Sequence, residues 1–522
     1  MTTQAPFKTY RVYFGVVSVL VLAVGIGLVA NFWAFFNTGA DRATALNLPP
    51  DLPESHVPLV RWLPDDANTG RPMEDFTRRA IMKDYLRGWY QQEIALLTAN
   101  TEGLKEYFTP SAFSKVASAI GQPISAGFRI HQTDLEHHIR LHFYSADGQI
   151  VSFTDQRTWL KKRLYREQQR FGTLDERADY DVVMMLDDGY WRVKNWVRKP
   201  PSVLASDSTS PAPSHLVRVK GTQFILDGQP FVPRGVNYYP AQSPWSAMWT
   251  HFNPTVVRQD FELVRSLGFN TIRIFVNFHD FGKGNVLSER LGQLKQMLDL
   301  AQQSRLKVIV TLFDFLGDYR LSNFSATDRQ LESILTAFNQ HEAIMAWDLK
   351  NEPDLDLKHH HPTDVQEWLR WIVERAKHYD HHHLLTVGWA YPENAHLLSD
   401  VVDFVAFHSY KSPQVLATGL DALRSKVKDK PLLLEEFGLP TYRGLWAPLG
   451  HSQDAQAAYF AEVRQVLRQR GDIPFVVWTL HDFAAVPAEV VGAAPWNREP
   501  QKHFGIIDNE RRPKKGLAVL QK

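Results

Sequence analysis

The chain has 522 residues, more than one ordinary core requires, and its length alone suggests about two to four domains. A formal net charge of +1, with 22% charged residues spread along the chain, leaves no electrostatic footprint for nucleic acid. Cysteine is absent, which excludes disulfides and thiolate metal sites, while 15 Trp, 17 Tyr and 31 Phe offer faces on which sugar rings can stack.

From Val12 to Ala30 the sequence is apolar apart from Tyr13 and Ser18, and Phe32-Trp33-Ala34-Phe35-Phe36 supplies an aromatic edge. At about 1.5 Å per residue this stretch is long enough to span hydrocarbon. Lys8, Arg11 and the free amine precede it, whereas Asp41 and Arg42 cancel after it, so the positive-inside rule puts the N-terminus in the cytoplasm. A cleaved signal peptide is the alternative, with Ala43-Thr44-Ala45 as its small-residue site, but its apolar region would be unusually long. Residues 1–37 are therefore expected to form a cytoplasmic tip and a single-pass anchor. That anchor touches the bilayer from Val12 to Phe36 in the inner (cytoplasmic) membrane, and all later domains are periplasmic or extracellular. Residues 38–72 read as a spacer, because Asn47 to Gly70 is rich in Pro and Asp and has no helical or strand period.

Residues 73–199 change character. Phe76, Ala80, Ile81, Tyr85, Trp89, Ile94 and Leu97 recur at helical spacing, and Thr109-Pro110 starts a second helix over Ser111 to Ile120. Alternating stretches follow at Phe128 to Tyr144, Gln149 to Thr154 and Tyr180 to Val197, with turns at Ala146-Asp147-Gly148 and Asp187-Asp188-Gly189. Helices first and an antiparallel sheet afterwards predict a separate α+β domain. Its ending, from Tyr180-Asp181-Val182 to Trp191-Arg192-Val193, resembles the NTF2-like cone fold. His131, His137, His138 and His142 fall in strands with one face to solvent and read as structural.

Pro200-Pro201 through Ser214 is a linker by composition, and residues 216–522 form the last domain. A short hairpin turns at Asp227-Gly228. Eight apolar runs alternate with helical segments after it: Val232 to Tyr238, Thr271 to Asn277, Lys307 to Phe313, Ile344 to Lys350, Leu384 to Gly388, Phe404 to His408, Leu432 to Glu436 and Phe475 to Leu480. Amphipathic segments such as Pro254 to Leu267, Leu291 to Gln303, Thr363 to His378 and Gln453 to Arg470 separate them. Eight strand and helix units in one span predict a (β/α)8 barrel, so the fold class is multidomain: a transmembrane helix, an α+β NTF2-like domain and a TIM barrel.

Two of the apolar runs end in acid. Ile344 to Asn351 is followed by Glu352 and closed by Pro353; Pro431 to Leu434 is followed by Glu435-Glu436 and closed by Phe437-Gly438. Carboxylates at the carboxyl ends of barrel strands stand where barrel enzymes do chemistry, and a pair of them is the minimum equipment of a retaining glycosidase. Alternation lets only one of the neighbours Glu435 and Glu436 face the barrel mouth.

Trp347-Asp348-Leu349-Lys350-Asn351-Glu352-Pro353, taken with Glu436-Phe437-Gly438, resembles the paired signature of family 5 glycoside hydrolases, the cellulases, mannanases and relatives, and of their wider barrel clan. The resemblance covers about Phe224 to Pro513. It implies that Glu352, ending the fourth strand, is the acid/base. It also implies that Glu436, ending the seventh and standing directly before the aromatic-Gly pair, is the nucleophile in place of Glu435. It also implies that Arg273 lies beneath the nucleophile and that Asn351 binds the sugar 2-hydroxyl. His408 and Tyr410 would bracket the acids, and Trp478 would be the platform under the sugar. Asn237, Trp389, Tyr238, Asp314, Tyr391, Trp446 and Trp496 follow strands and are candidates to line a glycan cleft, Asn237 and Trp389 being the ones carried into the substrate-binding set. Under the resemblance, the hairpin at Phe224 to Phe231 is a lid below the barrel.

No cofactor and no metal site are expected. His359-His360-His361 and His381-His382-His383 read as surface runs, because three consecutive histidines cannot converge on one ion. The expected partner is a β-linked polysaccharide or oligosaccharide, with polysaccharide export machinery as a second partner of a tethered enzyme and no nucleic acid. The expected activity is hydrolysis of an exported or extracellular β-linked glucan or mannan-like polysaccharide by double displacement. The alternatives are a transglycosylase on the same polymer and a non-catalytic glycan-binding scaffold.

Overall fold

The computed structural model describes residues 52–202 and 213–521. The span expected from Val12 to Ala30 lies outside them, and among the described residues no helix is long and apolar enough to cross a membrane.

Residues 52–202 carry two helices, α1 (Asp75–Thr98) and α2 (Pro110–Ser125), packed on a five-stranded sheet. Its strands are β1 (Leu59–Trp62), β2 (Phe128–Tyr144), β3 (Ile150–Arg166), β4 (Gln169–Asp187) and β5 (Tyr190–Lys199), in that spatial order. β1 runs parallel to β2 and the others are antiparallel. The stretch from Asn47 to Gly70 was expected to be an extended spacer, yet Leu59 to Trp62 adds a strand to the edge of β2. Four residues of regular pairing are enough for that without any visible alternation in sequence.

The sheet is also longer than the sequence implied. β3 continues past Thr154 to Arg166 and returns through Glu167 and Gln168, both in the left-handed region at φ 48° and 66°. That conformation is the two-residue turn that matches strand twist, and it is usually signalled by Asn or Gly. Glu-Gln carries no such signal, whereas the Asp188-Gly189 and Asp227-Gly228 turns do, and both turns form.

Of the histidines of β2, His131 and His142 are partly exposed, but His137 and His138 are buried. His137 is fully buried, with Nδ1 2.6 Å from Asp155 Oδ2 and Nε2 2.9 Å from Asp134 Oδ2. Burial opposes its charge, but the two aspartates prevail and raise it to about 10.

The C-terminal part begins with a small antiparallel sheet, β6 (Arg218–Lys220), β7 (Gln223–Leu226) and β8 (Gln229–Phe231). Phe224 of this sheet packs edge-on against Phe404 at 5.1 Å and closes one apolar end of the barrel with Val217. Eight parallel strands then close on themselves: β9 (Arg234–Asn237), β10 (Thr271–Val276), β11 (Lys307–Leu312), β12 (Ile344–Asn351), β13 (Leu384–Trp389), β14 (Val405–His408), β15 (Leu432–Glu436) and β16 (Phe475–Val477). Strands covered on both faces read as unbroken apolar runs, which is why each was visible in sequence. Six long helices lie between them: α3 (Pro254–Ser266), α4 (Ser288–Gln303), α5 (Phe324–Phe338), α6 (Pro362–Tyr379), α7 (Pro413–Lys426) and α8 (Gln453–Arg468). Three start on a side-chain cap, from Asn253, Ser412 and Ser452.

The two parts share a buried seam. α5 faces β1 and β2, the start of α6 meets Arg163 of β3 and Arg170 of β4, and Trp159 of β3 belongs to the apolar core that surrounds the barrel. Polar contacts cross the seam as well: Ser325 Oγ donates to the Asp134 carbonyl at 2.9 Å, and Arg170 Nη1 donates to Asp364 at 2.6 Å. Arg375 lies 4.8 Å over the Trp159 ring. Of the two histidine runs, His359, His361 and His381 are exposed, but His383 is buried, its Nδ1 2.7 Å from Asp380. That second run is therefore not a surface run throughout.

Candidate active site

At the carboxyl ends of the strands lies a cleft of about 610 Å³, and Asn351, Glu352, Tyr410, Glu436 and Trp478 are in its wall. Two irregularities of the barrel bring them there. The pairing of β12 with β13 shifts between Asp348 and Asn351, and Glu352 itself adopts the left-handed conformation at φ 48° and ψ 49° before Pro353 starts a single helical turn. The pairing of β14 with β15 shifts between Phe407 and His408, so that His408 comes to stand opposite Glu436. A bulge breaks strict alternation and re-aims side chains, and a non-glycine residue held in the left-handed region costs about 1–3 kcal/mol, which the surrounding structure must offset.

Alternation is expected to leave only one of Glu435 and Glu436 facing the barrel mouth; Glu436 lines the cleft and Glu435 does not, yet both reach Arg273. Glu436 Oε1 accepts from Arg273 Nη1, and Glu435 Oε1 lies 3.5 Å from Arg273 Nε. Glu436 is the one at the cleft surface, and its Oε2 accepts from the Tyr410 hydroxyl at 2.7 Å.

Arg273 is the hub beneath the site and is wholly buried. Besides Glu436 it donates to Asp348 at 2.6 Å, to the Asn351 side-chain oxygen at 2.8 Å and to the Asn237 side-chain oxygen at 3.1 Å. Burial works against its charge, yet Glu435, Asp348 and Glu436 raise its proton affinity further. His408, also fully buried, places Nδ1 2.9 Å from Glu352 Oε1 and 3.7 Å from Glu436 Oε2. Burial again opposes the charge, but Glu436 and Glu352, with Glu435 behind, raise His408 to about 10. For Glu352 burial is the largest influence and pushes upward; the His408 hydrogen bond and the cations of His408, Arg273 and Lys350 outweigh it and hold the carboxyl below its ordinary range. Asp348, buried beside Glu435, is pushed up to about 7.

Trp478 follows β16 directly, and an aromatic nest of Tyr239, Trp245 and Phe275 at 6.0–6.4 Å fixes its ring. Asp314 lies in the same wall, and burial pushes it up to about 6. The residues on either side, Phe313 and Phe315, have φ of 44° and 54°, so its backbone is held in an uncommon shape.

Two residues of the expected substrate-binding set are placed elsewhere. Asn237 is fully buried, its NH2 donating to the carbonyls of Glu435 and Val477 and its oxygen accepting from Arg273. With every polar atom engaged it props Arg273 and has nothing left for a sugar. Trp389 packs into the core between barrel and helices, while its neighbours Ala390 and Tyr391 line the cleft. Tyr238 is likewise buried, donating to Asp260 at 3.1 Å, and Trp446 and Trp496 are exposed outside the lining. Lys350, Asp356, Lys411, Trp245 and Tyr239 are among the cleft residues that sequence reasoning passed over. Lys350 Nζ lies 3.2 Å from Asp356, within the stretch where the pairing of β12 with β13 shifts.

Glu352, His408 and Glu436 each offer one possible metal-ligand atom within 4.8 Å of the others, the one such trio among the described residues. A cation there would sit against the Arg273 guanidinium already bonded to Glu436. The charge arrangement therefore suits a proton network and opposes a metal ion. Two carboxylates this close, one tied to a buried histidine and the other to a buried arginine and a tyrosine, can divide acid/base and nucleophilic work between them.

Comparison with known proteins agrees with the barrel. Residues 227–484 match the family model described as cellulase, glycosyl hydrolase family 5. Among curated proteins, the β-glucuronidase of Chlorocebus aethiops is 22% identical over 341 residues, covering 60% of this chain and 47% of that protein. The mannan endo-1,4-β-mannosidase A of Emericella nidulans is 23% identical over 274 residues, 42% of this chain and 70% of that protein. The chain thus spans about half the length of the β-glucuronidase it matches. Among solved structures, the exo-β-1,4-mannosidase of Opitutaceae bacterium strain TAV5 is 21% identical, with a TM-score of 0.48 over 56% of this chain and 59% of that one.

Proposed function

We propose that this chain, which carries a glycosyl hydrolase family 5 barrel, is a retaining β-glycoside hydrolase acting on a β-linked glucan or mannan-like polysaccharide. The observation that carries the reading is the placement of Glu352 and Glu436 at the ends of β12 and β15, with an oxygen of each within 4.8 Å. Double displacement calls for carboxyl groups roughly 5–5.5 Å apart, whereas inversion needs about 6.5–9.5 Å to admit a water.

In the first step Glu352 gives its proton to the glycosidic oxygen, the bond from that oxygen to the anomeric carbon breaks, and a Glu436 oxygen bonds to that carbon. In the second step Glu352 takes a proton from water, the water oxygen attacks the anomeric carbon, and Glu436 leaves as a carboxylate. Arg273 and Tyr410 favour that departure by stabilising the charge that returns to Glu436. Trp478 offers its face to the sugar, and the Asn351 NH2 is available to a hydroxyl once its oxygen is bound to Arg273.

The mannosidase relatives support a β-mannoside as the first substrate class to try. The apolar segment Val12 to Ala30, read from sequence alone, supports a barrel tethered at the outer face of the inner membrane, where it would meet an exported polymer. The helices and five-stranded, mainly antiparallel sheet of residues 52–202 support an NTF2-like reading of the first domain.

The test is product analysis by the purified full chain on β-manno- and β-gluco-oligosaccharides, with the anomer followed by proton NMR. The first-formed product is expected to be β, and Glu436→Ala and Glu352→Gln are each expected to lose at least about a hundredfold in turnover while remaining folded. An α product, or wild-type turnover in either variant, overturns the reading; products longer than the starting sugar would mean transfer in place of hydrolysis.

A further inference from the structure

Glu435 takes no part in those steps, yet it is completely buried and stands behind both groups that hold the two acids. Its Oε1 lies 3.5 Å from Arg273 Nε and its Oε2 3.8 Å from His408 Nε2. Neither oxygen accepts a hydrogen bond from the described residues, and neither of those nitrogens donates one. The opposite ends of the same two side chains are engaged, Arg273 Nη1 on Glu436 and His408 Nδ1 on Glu352. One carboxylate therefore backs two cation-forming groups, each of which faces one acid. Gly388 makes the room: a Cβ there would come within 2.6 Å of Glu435 Oε2, 3.1 Å of His408 Nε2 and 3.2 Å of Arg273 Nη2.

We propose that Glu435 is a positioning residue, whose charge holds His408 as an imidazolium and steadies Arg273 from behind while Glu436 is esterified. The proposal rests on the double-displacement reading. Forming the glycosyl-enzyme removes the Glu436 charge, and two buried cations would then face one carboxylate fewer. An uncompensated buried charge is costly, and such groups otherwise move or lose their protons. Glu435 is not consumed in the reaction. The remaining groups facing this cluster are Asp348, Asn351 and Asn237 on Arg273, Glu352 on His408, and the Tyr410 hydroxyl on Glu436. Asp348 also faces Arg273, and burial, with Glu435 beside it, raises it to about 7.

The test is an imidazole nitrogen NMR titration of His408 in the full chain, assigned by its loss in His408→Asn. The wild-type ring is expected to stay protonated beyond neutral pH. In Glu435→Gln its midpoint should fall by about one pH unit or more, while Glu435→Asp keeps the imidazolium. With a turned-over glycoside, Glu435→Gln should lower kcat about tenfold or more and leave KM within about twofold. A neutral His408 at pH 7 in the wild type overturns the proposal even if Glu435→Gln does not fold. An unmoved midpoint in folded Glu435→Gln overturns it as well, since a purely structural role would lower the melting temperature without moving the titration. The titration reads no turnover, so a failure of the glycosidase reading and a failure of this one are told apart.

Discussion

Arg163 of β3 donates from Nη2 to the backbone carbonyl of Tyr319 at 3.2 Å, which ties the N-terminal sheet to the wall of the cleft. The Tyr319 hydroxyl donates to Asp356, and Asp356 pairs with Lys350 at 3.2 Å, one residue before Asn351 and Glu352. Arg163 also donates from Nε to Glu367 at 3.1 Å, and its side chain is only 4% exposed. Arg163→Ala is therefore expected to cost about 2 kcal/mol of stability, as a buried hydrogen-bonded charge typically does, and to raise KM more than it lowers kcat. Thermal melting and steady-state kinetics check this together. A variant with unchanged KM and melting temperature would show that the seam does not support the cleft.

The pH dependence has a definite sign. Glu352 must carry a proton to act as the acid, and in the free site the His408 hydrogen bond and the nearby cations hold it below the ordinary carboxylate range. The protonated fraction falls as pH rises through that depressed value, so kcat/KM should decline with rising pH from the acidic side, by about tenfold per unit. His408→Asn removes the principal cause of the depression, and the limb should move to higher pH by about one unit. The measurement is kcat/KM against pH for both proteins, and a limb that His408→Asn leaves in place would refute the assignment.

Gly388→Ala places a methyl group among the charged ends of Glu435, His408 and Arg273, with 2.6 Å to the nearest oxygen. Overpacking a rigid interior costs about 1–3 kcal/mol, and these groups cannot retreat without giving up the contacts that orient Glu352 and Glu436. Denaturant unfolding should register a loss in that range, with turnover reduced further than stability alone would require. Wild-type stability and turnover in Gly388→Ala would mean the cluster has slack that the distances do not suggest.

Much of this protein was legible in the chain itself. Strands buried on both faces need continuous apolar runs, so the eight barrel strands, the acids after β12 and at the end of β15, and the Asp-Gly turns announced themselves. Local chemistry determined those features. The Glu167-Gln168 turn and the strand from Leu59 to Trp62 did not announce themselves, because long-range pairing, and not residue preference, holds their backbones in place. The site divides along the same line. Arg273, Asn351, His408, Tyr410 and Trp478 could be named only through the resemblance to family 5 glycoside hydrolases. Only the folded barrel decided that Asn237 props Arg273, that Trp389 turns into the core, and that Glu435 and Glu436 both reach one guanidinium. Two register shifts produce that outcome, and a register shift is a property of paired strands that neither strand carries alone.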